Sequence, residues 1–219
     1  EVQPTATDDE TRWFVVDQFS DAQQIQLYLR DLVLDRLPSR FGYDPVRDVQ
    51  VITPTHKGPL GTKAINEAMQ LLLQGRVEKK FCVGDKVIQT SNDYELGVMN
   101  GTIGFVVDVA KSGYTIAFDG VGPKVVEGER LSNVMLAYAL TAHKAQGSEF
   151  PCAVVLCHKS HFFADRNWLY TAVTRASQTC VLLGDRWGLR SAANKNNVIH
   201  RRTFLSRWAS AVPQEVTCG

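Results

Sequence analysis

A hydroxyl, an imidazole and an ammonium stand close together in Leu140-Thr141-Ala142-His143-Lys144-Ala145-Gln146-Gly147-Ser148-Glu149-Phe150, a set suited to the oxygens of phosphates and sugars. Gly147 permits close backbone approach, and Ser148 and Glu149 can accept hydrogen bonds from ribose hydroxyls or amide groups. A second segment, Leu169-Tyr170-Thr171-Ala172-Val173-Thr174-Arg175-Ala176, sets Thr171, Thr174 and Arg175 at i, i+3 and i+4. On a helix these share one polar face, with Tyr170, Val173 and Ala176 toward a core. An arginine fixed there projects a planar fork at a phosphate, the geometry of an arginine finger. Spacing alone also admits plainer readings: a helix cap with a solvated polar turn for the first segment, and a surface salt bridge for Arg175.

Other chemistries find less support. The sequence contains no GxSxG elbow, no HExxH pair and no cysteine in a signature with a histidine partner. His56, His158, His161 and His200 read as loop or surface residues: no two lie at i, i+4, and no metal site is expected. His56-Lys57-Gly58-Pro59-Leu60-Gly61-Thr62-Lys63 has glycines, a threonine and a lysine before a helix, but not in the order GxxxxGK[ST] that cradles phosphates, and that order occurs nowhere in the 219 residues. Nor does a strand end in paired acids for magnesium, since Asp8-Asp9-Glu10 precedes the first strand. By this reading the chain alone lacks the parts that bind and split a nucleoside triphosphate.

The elements that must position these groups follow from patterning. Residues 1–11 are polar and read as a loose lead-in. Trp13-Phe14-Val15-Val16 is a short strand, and Ile25, Leu29, Leu32 and Val33 recur at helical spacing up to Pro38. Val49-Gln50-Val51-Ile52 is a buried strand followed by a helix over about Leu60 to Leu73. From Phe81 to Val134 the runs shorten: Lys86 to Gln89, Thr102 to Val107, Tyr114 to Phe118 and Lys124 to Val126. Asn100-Gly101, Ser112-Gly113 and Asp119-Gly120 lie between them as positive-φ hairpin dipeptides. That is a small antiparallel β-barrel. Strands over Met135–Leu140, Cys152–Cys157 and Cys180–Leu183, with a helix over Trp168–Arg175, then restore the earlier grain. The fold class is α/β: a parallel sheet with crossover helices carrying an inserted barrel, the lobe over 12–80 and 135–212 and the barrel over 81–134. The barrel aromatics Tyr94, Phe105, Tyr114 and Phe118 have two readings, stacking platforms or interior filling.

Composition sets the outer bounds. Hydrophobic residues at 44% and charges at 21% are ordinary for a globular chain. A net charge of +1 announces no overall attraction to nucleic acid but leaves room for a local basic cleft. Five cysteines, an odd number without a CxxC pair, point to reduced thiols and a cytoplasmic setting. No run of eighteen apolar residues and no secretory signal layout occurs, so no membrane partner is expected. The first residue is Glu1 rather than methionine, which is read as a chain cut from something longer.

In combination these segments resemble superfamily 1 helicases. Ala137 through Phe150 resembles motif V, Leu169 through Ala176 motif VI, and Gln50 through Thr62 motif IV, while Gly84-Asp85-Lys86-Val87-Ile88-Gln89 through Asn92-Asp93-Tyr94 to Asn100-Gly101 resembles the barrel inserted in RecD-like members. The resemblance covers about Trp13 to Trp208. It implies the second RecA-like lobe, with an SH3-like barrel, of an ATP-dependent helicase moving 5′ to 3′ on single-stranded DNA, in the setting of DNA repair and recombination. Arg175 would be the finger at the γ-phosphate and Lys57 a second catalytic cation. Gly147, Glu149 and Arg175 would face the nucleotide. Thr53, Thr141, His143 and Lys144 would contact the nucleic acid. ATP and Mg²⁺ would be held mainly by an N-terminal RecA-like lobe of the same parent protein, and none by this chain alone. The helicase portion of a conjugative relaxase, a viral RNA helicase and a non-enzymatic binding module remain as alternatives.

Overall fold

Strands rich in Val, Ile and Cys with no polar alternation must be covered on both faces, which is the condition of a parallel sheet inside an α/β lobe. The computed structural model, which describes residues 11–75, 77 and 79–196, contains such a sheet. The first ten residues of the expected lead-in, residues 197–212 of the expected lobe, and His200 lie outside the described residues.

Five strands, β1 (Arg12–Val16), β2 (Val49–Ile52), β8 (Ala139–Leu140), β9 (Phe150–Cys157) and β10 (Ala176–Gly184), run parallel in the order β1-β10-β9-β2-β8. Their register lines up Phe14, Val181, Val154, Val51 and Ala139 in one row across the sheet. One face packs on α1 (Ala22–Asp31) through Ile25 and Leu29, and on α3 (Thr62–Gln74) through Ile65 and Met69. The other face packs on α4 (Arg166–Val173) through Trp168, Leu169 and Ala172, and on α5 (Arg186–Asn194) through Leu189. Among the described residues no helix is long and apolar enough to cross a membrane.

The chain does not leave the helical state at Pro38. A π-helical segment, Leu32–Arg36, passes into α2 (Leu37–Phe41), which ends on Gly42 at φ 73°. Pro38 stands at the junction of the π- and α-helical segments, where the hydrogen-bond ladder changes register, and glycine supplies the left-handed stop.

The inserted module is a five-stranded antiparallel sheet, β6-β5-β4-β3-β7, made of β3 (Lys86–Gln89), β4 (Ile103–Val109), β5 (Gly113–Phe118), β6 (Gly122–Glu127) and β7 (Val134–Leu136). It forms an SH3-like barrel around Phe81, Val87, Val106, Ile116, Phe118 and Val126. Two expectations change here. Met135 and Leu136 pair with Ile88 and Val87 in the barrel sheet, so they stand with the barrel strands and not with the parallel grain; only Ala139 and Leu140 join the parallel sheet. Gly101 and Gly120 do take positive φ, but Gly113 is extended: a Cβ there would lie 2.6 Å from the Val126 carbonyl oxygen, so close strand approach is what requires it.

Barrel and lobe are fastened by buried polar groups. The fully buried Asp85 carboxylate accepts from Gln70 Nε2 (2.5 Å), Cys82 N (2.7 Å), Gln74 Nε2 (3.2 Å) and the Tyr138 hydroxyl (2.7 Å). Burial and that carboxylate push the Tyr138 phenol well above its usual range. Asn66 donates to Leu136 O and Ala139 O and accepts from Ala139 N, so α3 grips the chain as it passes from barrel to sheet.

Candidate functional site

Parallel strands give a sheet two unlike edges. At the carboxyl edge, β2 delivers Thr53 through Lys57, β8 delivers Thr141 through Lys144, and β9 delivers His158. At the amino edge, Arg175 precedes β10 and Glu149 precedes β9, with Phe150 N donating to Arg175 O at 2.9 Å. Leu140 and Val155 both stand level with Ile52, so five residues of β9 separate the two levels, about 17 Å at the usual strand rise. Residues 141–149 must cross that distance. The segment leaves the carboxyl edge in a tight turn, Ala145 N donating to Thr141 O (3.0 Å) and Ser148 N to Ala145 O (3.1 Å). It turns on Gly147 at φ 88°, where open space would receive a Cβ and only the backbone angle excludes one.

Arg175 lies just past the end of α4, which stops at Val173; Thr174 and Arg175 therefore leave the helix that the spacing predicted. The half-buried guanidinium nevertheless keeps contact with it. Nε donates to Thr171 O (3.2 Å), Nη2 to Thr174 Oγ1 (3.2 Å) and Nη1 to Ser148 O (3.0 Å). Every one of these partners is neutral, and among the described residues no carboxylate pairs with Arg175. Tyr170, expected toward the core, is 69% exposed, whereas Val173 and Ala176 do pack against the core.

The structure brings Gly147, Ser148, Glu149 and Arg175 to one edge and Thr141, His143, Lys144 and Lys57 to the other. Lys57 is thus a correction: it stands in the loop after β2, at the opposite edge from Arg175, because β2 and β10 both point away from the amino edge. Thr53 is a second correction. Its side chain is fully buried, and its hydroxyl donates to Leu60 O at 2.6 Å, so it shapes the β2–α3 loop and has no surface for a nucleic acid. Thr141 is nearly buried, with its hydroxyl at the start of the turn, while His143 is exposed and Lys144 half-buried.

The histidines expected at the surface divide. His56 is exposed, its Nδ1 3.1 Å from Thr62 Oγ1. His158 is buried, with Nδ1 2.8 Å from Ser160 Oγ and Nε2 3.2 Å from Ser20 O. His161 is buried too, and burial, aided by His158, lowers its pKa to about 4. The barrel aromatics also divide: Tyr114 and Phe118 fill the interior, Tyr94 is 78% exposed, and Phe105 lies under the Arg47 guanidinium at 4.6 Å.

Two groups escaped the sequence reading. A cleft of about 540 Å³ between barrel and lobe is lined by Gly147, Ser148 and Glu149 together with Arg47, Phe105 and Asp119. In its wall the buried Lys86 donates to Val49 O (3.3 Å) with its ammonium 4.9 Å from the Phe150 ring centroid, and burial lowers its pKa to about 8. The only sequence signal for Lys86 is a lysine within a short apolar barrel run, a pattern that an outward-facing lysine shares.

Two family models match this architecture: the UvrD-like helicase C-terminal domain over residues 136–183, and the ATP-dependent RecD-like DNA helicase SH3 domain over residues 63–118. The chain is similar to the ATP-dependent RecD2 DNA helicase of Deinococcus radiodurans, 39% identical over 168 residues, which is 73% of this chain and 23% of that protein. It is also similar to the RecBCD enzyme subunit RecD of Mycobacterium tuberculosis, 32% identical over 147 residues, 64% of this chain and 25% of the relative. It therefore spans about a quarter of the length of these relatives. Among solved structures, Pif1 helicase from Bacteroides in complex with ADP-AlF3 and ssDNA shares the fold at TM-score 0.54 and 17% identity, over 89% of this chain and 55% of that one.

Proposed function

We propose that this chain, a UvrD-like C-terminal helicase domain with a RecD-like SH3 barrel set into it, is the second motor lobe of an ATP-dependent helicase moving 5′ to 3′ on single-stranded DNA. The observation that carries the reading is Arg175. The guanidinium is held by three neutral oxygens, meets no carboxylate among the described residues, and has two of its five N–H donors left for a phosphate oxygen. Its planar fork suits the charge that develops on a transferring phosphoryl group.

In this reading ATP and its Mg²⁺ are presented by an N-terminal RecA-like lobe that carries the phosphate-cradling loop, since the 219 residues contain no GxxxxGK[ST]. Gly147 and Glu149 meet the nucleotide beside Arg175, and Thr141, His143, Lys144 and Lys57 meet the DNA backbone at the far edge. Segment 141–149 joins the two. Closure of the lobes on ATP draws Ser148 with Arg175, and the turn at Thr141 follows, so the grip on DNA phosphates differs between open and closed states. Phosphate contacts ignore base identity, which suits stepping. We place the protein in the cytoplasm; the free thiols of Cys152, Cys157 and Cys180 fit a reducing compartment.

The test uses the chain by itself and two substitutions. The 219-residue chain is expected to bind oligonucleotides without turning over ATP, and Thr141→Ala or His143→Ala to weaken that binding alike for all base sequences. Robust ATP turnover by the chain alone, or a base-selective loss, contradicts the reading.

A further inference from the structure

The outermost strand of a sheet turns the N–H and C=O groups of alternate residues away from its one neighbour, with no ladder to receive them. On the side of the parallel sheet away from β8, that strand is β1. It pairs with β10 residue for residue, from Arg12 opposite Thr179 to Val16 opposite Leu183. No bulge interrupts the pairing and no proline stands in Arg12–Val16. Among the described residues no further strand or loop hydrogen-bonds to its outer edge.

The two faces beside this edge differ in chemistry. On the α2 side, Phe14 and Phe41 pack with ring centroids 5.8 Å apart, and two guanidiniums lie over the pair. Arg12 stands 5.7 Å from the Phe41 centroid, and Arg40 stands 5.6 Å from Phe41 and 6.0 Å from Phe14. Both arginines are exposed, and among the described residues no carboxylate pairs with either. On the α5 side, Trp13 and Val15 are 45% and 41% exposed, and Val15 opens into a groove of about 290 Å³ walled by Leu169, Leu182 and Leu189. Arg186 and Arg190 border that groove; Asp17 meets Arg186 at 3.3 Å, and no acid among the described residues meets Arg190.

An occupant of this edge must bring backbone amides, apolar groups toward α5 and anionic groups toward α2. An extended polypeptide supplies all three, because its side chains alternate between faces. A second copy of this chain does not, since its own β1 brings the same arginines against the first set. A polynucleotide supplies the charge without the ladder of amides. We propose that the outer edge of β1 accepts an extended segment of a partner protein in which apolar and acidic residues alternate, the apolar ones against Trp13 and Val15 and the acidic ones against Arg12 and Arg40. This docking is strand addition, with affinity from the ladder and selectivity from the two faces. It needs neither nucleotide nor DNA and stands apart from the motor reading.

Anisotropy of a labelled, end-blocked peptide alternating valine and glutamate, of about eight residues to match a strand, tests it on the full 219-residue chain. The peptide is expected to bind, and its valine–lysine counterpart to bind about tenfold more weakly or worse. Arg12→Glu with Arg40→Glu should reverse that preference. Only one edge of an added strand meets β1, so N-methylation of one alternate set of peptide amides should abolish binding, while methylation of the other set leaves it within about two-fold. That comparison uses the unmodified chain, and equal effects of the two sets overturn strand addition. Failure of the valine–glutamate peptide to bind also overturns the proposal and leaves the arginines as charges that keep the edge unpaired. So does peptide binding that appears only when Asp8→Asn, Asp9→Asn and Glu10→Gln are combined, which gives the edge to the chain's own acidic residues. A dimer that Val15→Glu dissociates assigns the edge to a second copy. Oligothymidylate affinity that falls in the double arginine variant, with peptide preference unchanged, assigns the arginines to nucleic acid.

Discussion

Arg175 and Ser148 lie 27 residues apart and are joined by a 3.0 Å hydrogen bond from Nη1 to the Ser148 carbonyl. The bond fastens the residue proposed to meet a triphosphate to a segment whose other end sits at the opposite edge of the sheet. A carbonyl, unlike a carboxylate, orients the guanidinium without neutralising it. The same contact therefore serves both position and coupling.

Gly147 is the joint of that segment. Alanine at φ 88° is strained by roughly 1 kcal/mol, whereas asparagine tolerates left-handed backbone better. In the full-length protein Gly147→Ala should lower DNA-stimulated ATP turnover, and Gly147→Asn should recover part of it. Equal loss in both variants would mean that side-chain volume, and not backbone angle, sets the requirement.

Thr53 offers a control with the opposite expectation. Thr53→Val keeps the shape but leaves Leu60 O without its 2.6 Å donor in a fully buried position, a cost of about 2 kcal/mol. Urea unfolding should register that loss while oligonucleotide affinity stays within about two-fold. A large affinity loss with unchanged stability would return Thr53 to the nucleic-acid track.

Lys86 sets a pH dependence whose sign follows from burial. Its folded pKa, about 8, lies below the ordinary lysine value of 10.5, so between those pH values the unfolded chain binds more protons and stability rises with pH. Below about 8 burial disfavours the charged form by roughly 3 kcal/mol, the net that remains after the attraction of Asp119, Asp48 and Asp44. Lys86→Met should remove the rise in unfolding free energy between pH 8 and 10.5 that the unmodified chain shows. A parallel pH profile in the two proteins would place the Lys86 ammonium in solvent.

Much of this arrangement was legible in residue types. Val49–Ile52 and Cys152–Cys157 read as doubly covered strands because nothing polar alternates along them, apart from Gln50, whose amide nitrogen donates to the Val51, Ala137 and Tyr138 carbonyls. The turn chemistry of Asn100-Gly101 and Asp119-Gly120 was legible for the same local reason. What depended on distant pairing was not. Met135 and Leu136 looked like lobe residues until their partners, Ile88 and Val87, lay across from them. Lys57 and Arg175 both resembled nucleotide-site cations, because motif order along a chain carries no information about which edge of the sheet each reaches. His158 and His161 looked solvated because their neighbours Lys159 and Ser160 are, while their own rings turn inward.

The most direct measurement is ATP turnover by the full-length protein with Arg175 replaced by alanine, with ATP affinity measured in the same preparation. A finger that acts on the transferring phosphoryl group predicts a fall of about 10³-fold with affinity nearly unchanged, and no rescue by Arg175→Lys, which lacks the fork. Turnover within about tenfold of the unmodified protein would contradict the account and leave Arg175 as a brace between α4 and the Ser148 carbonyl.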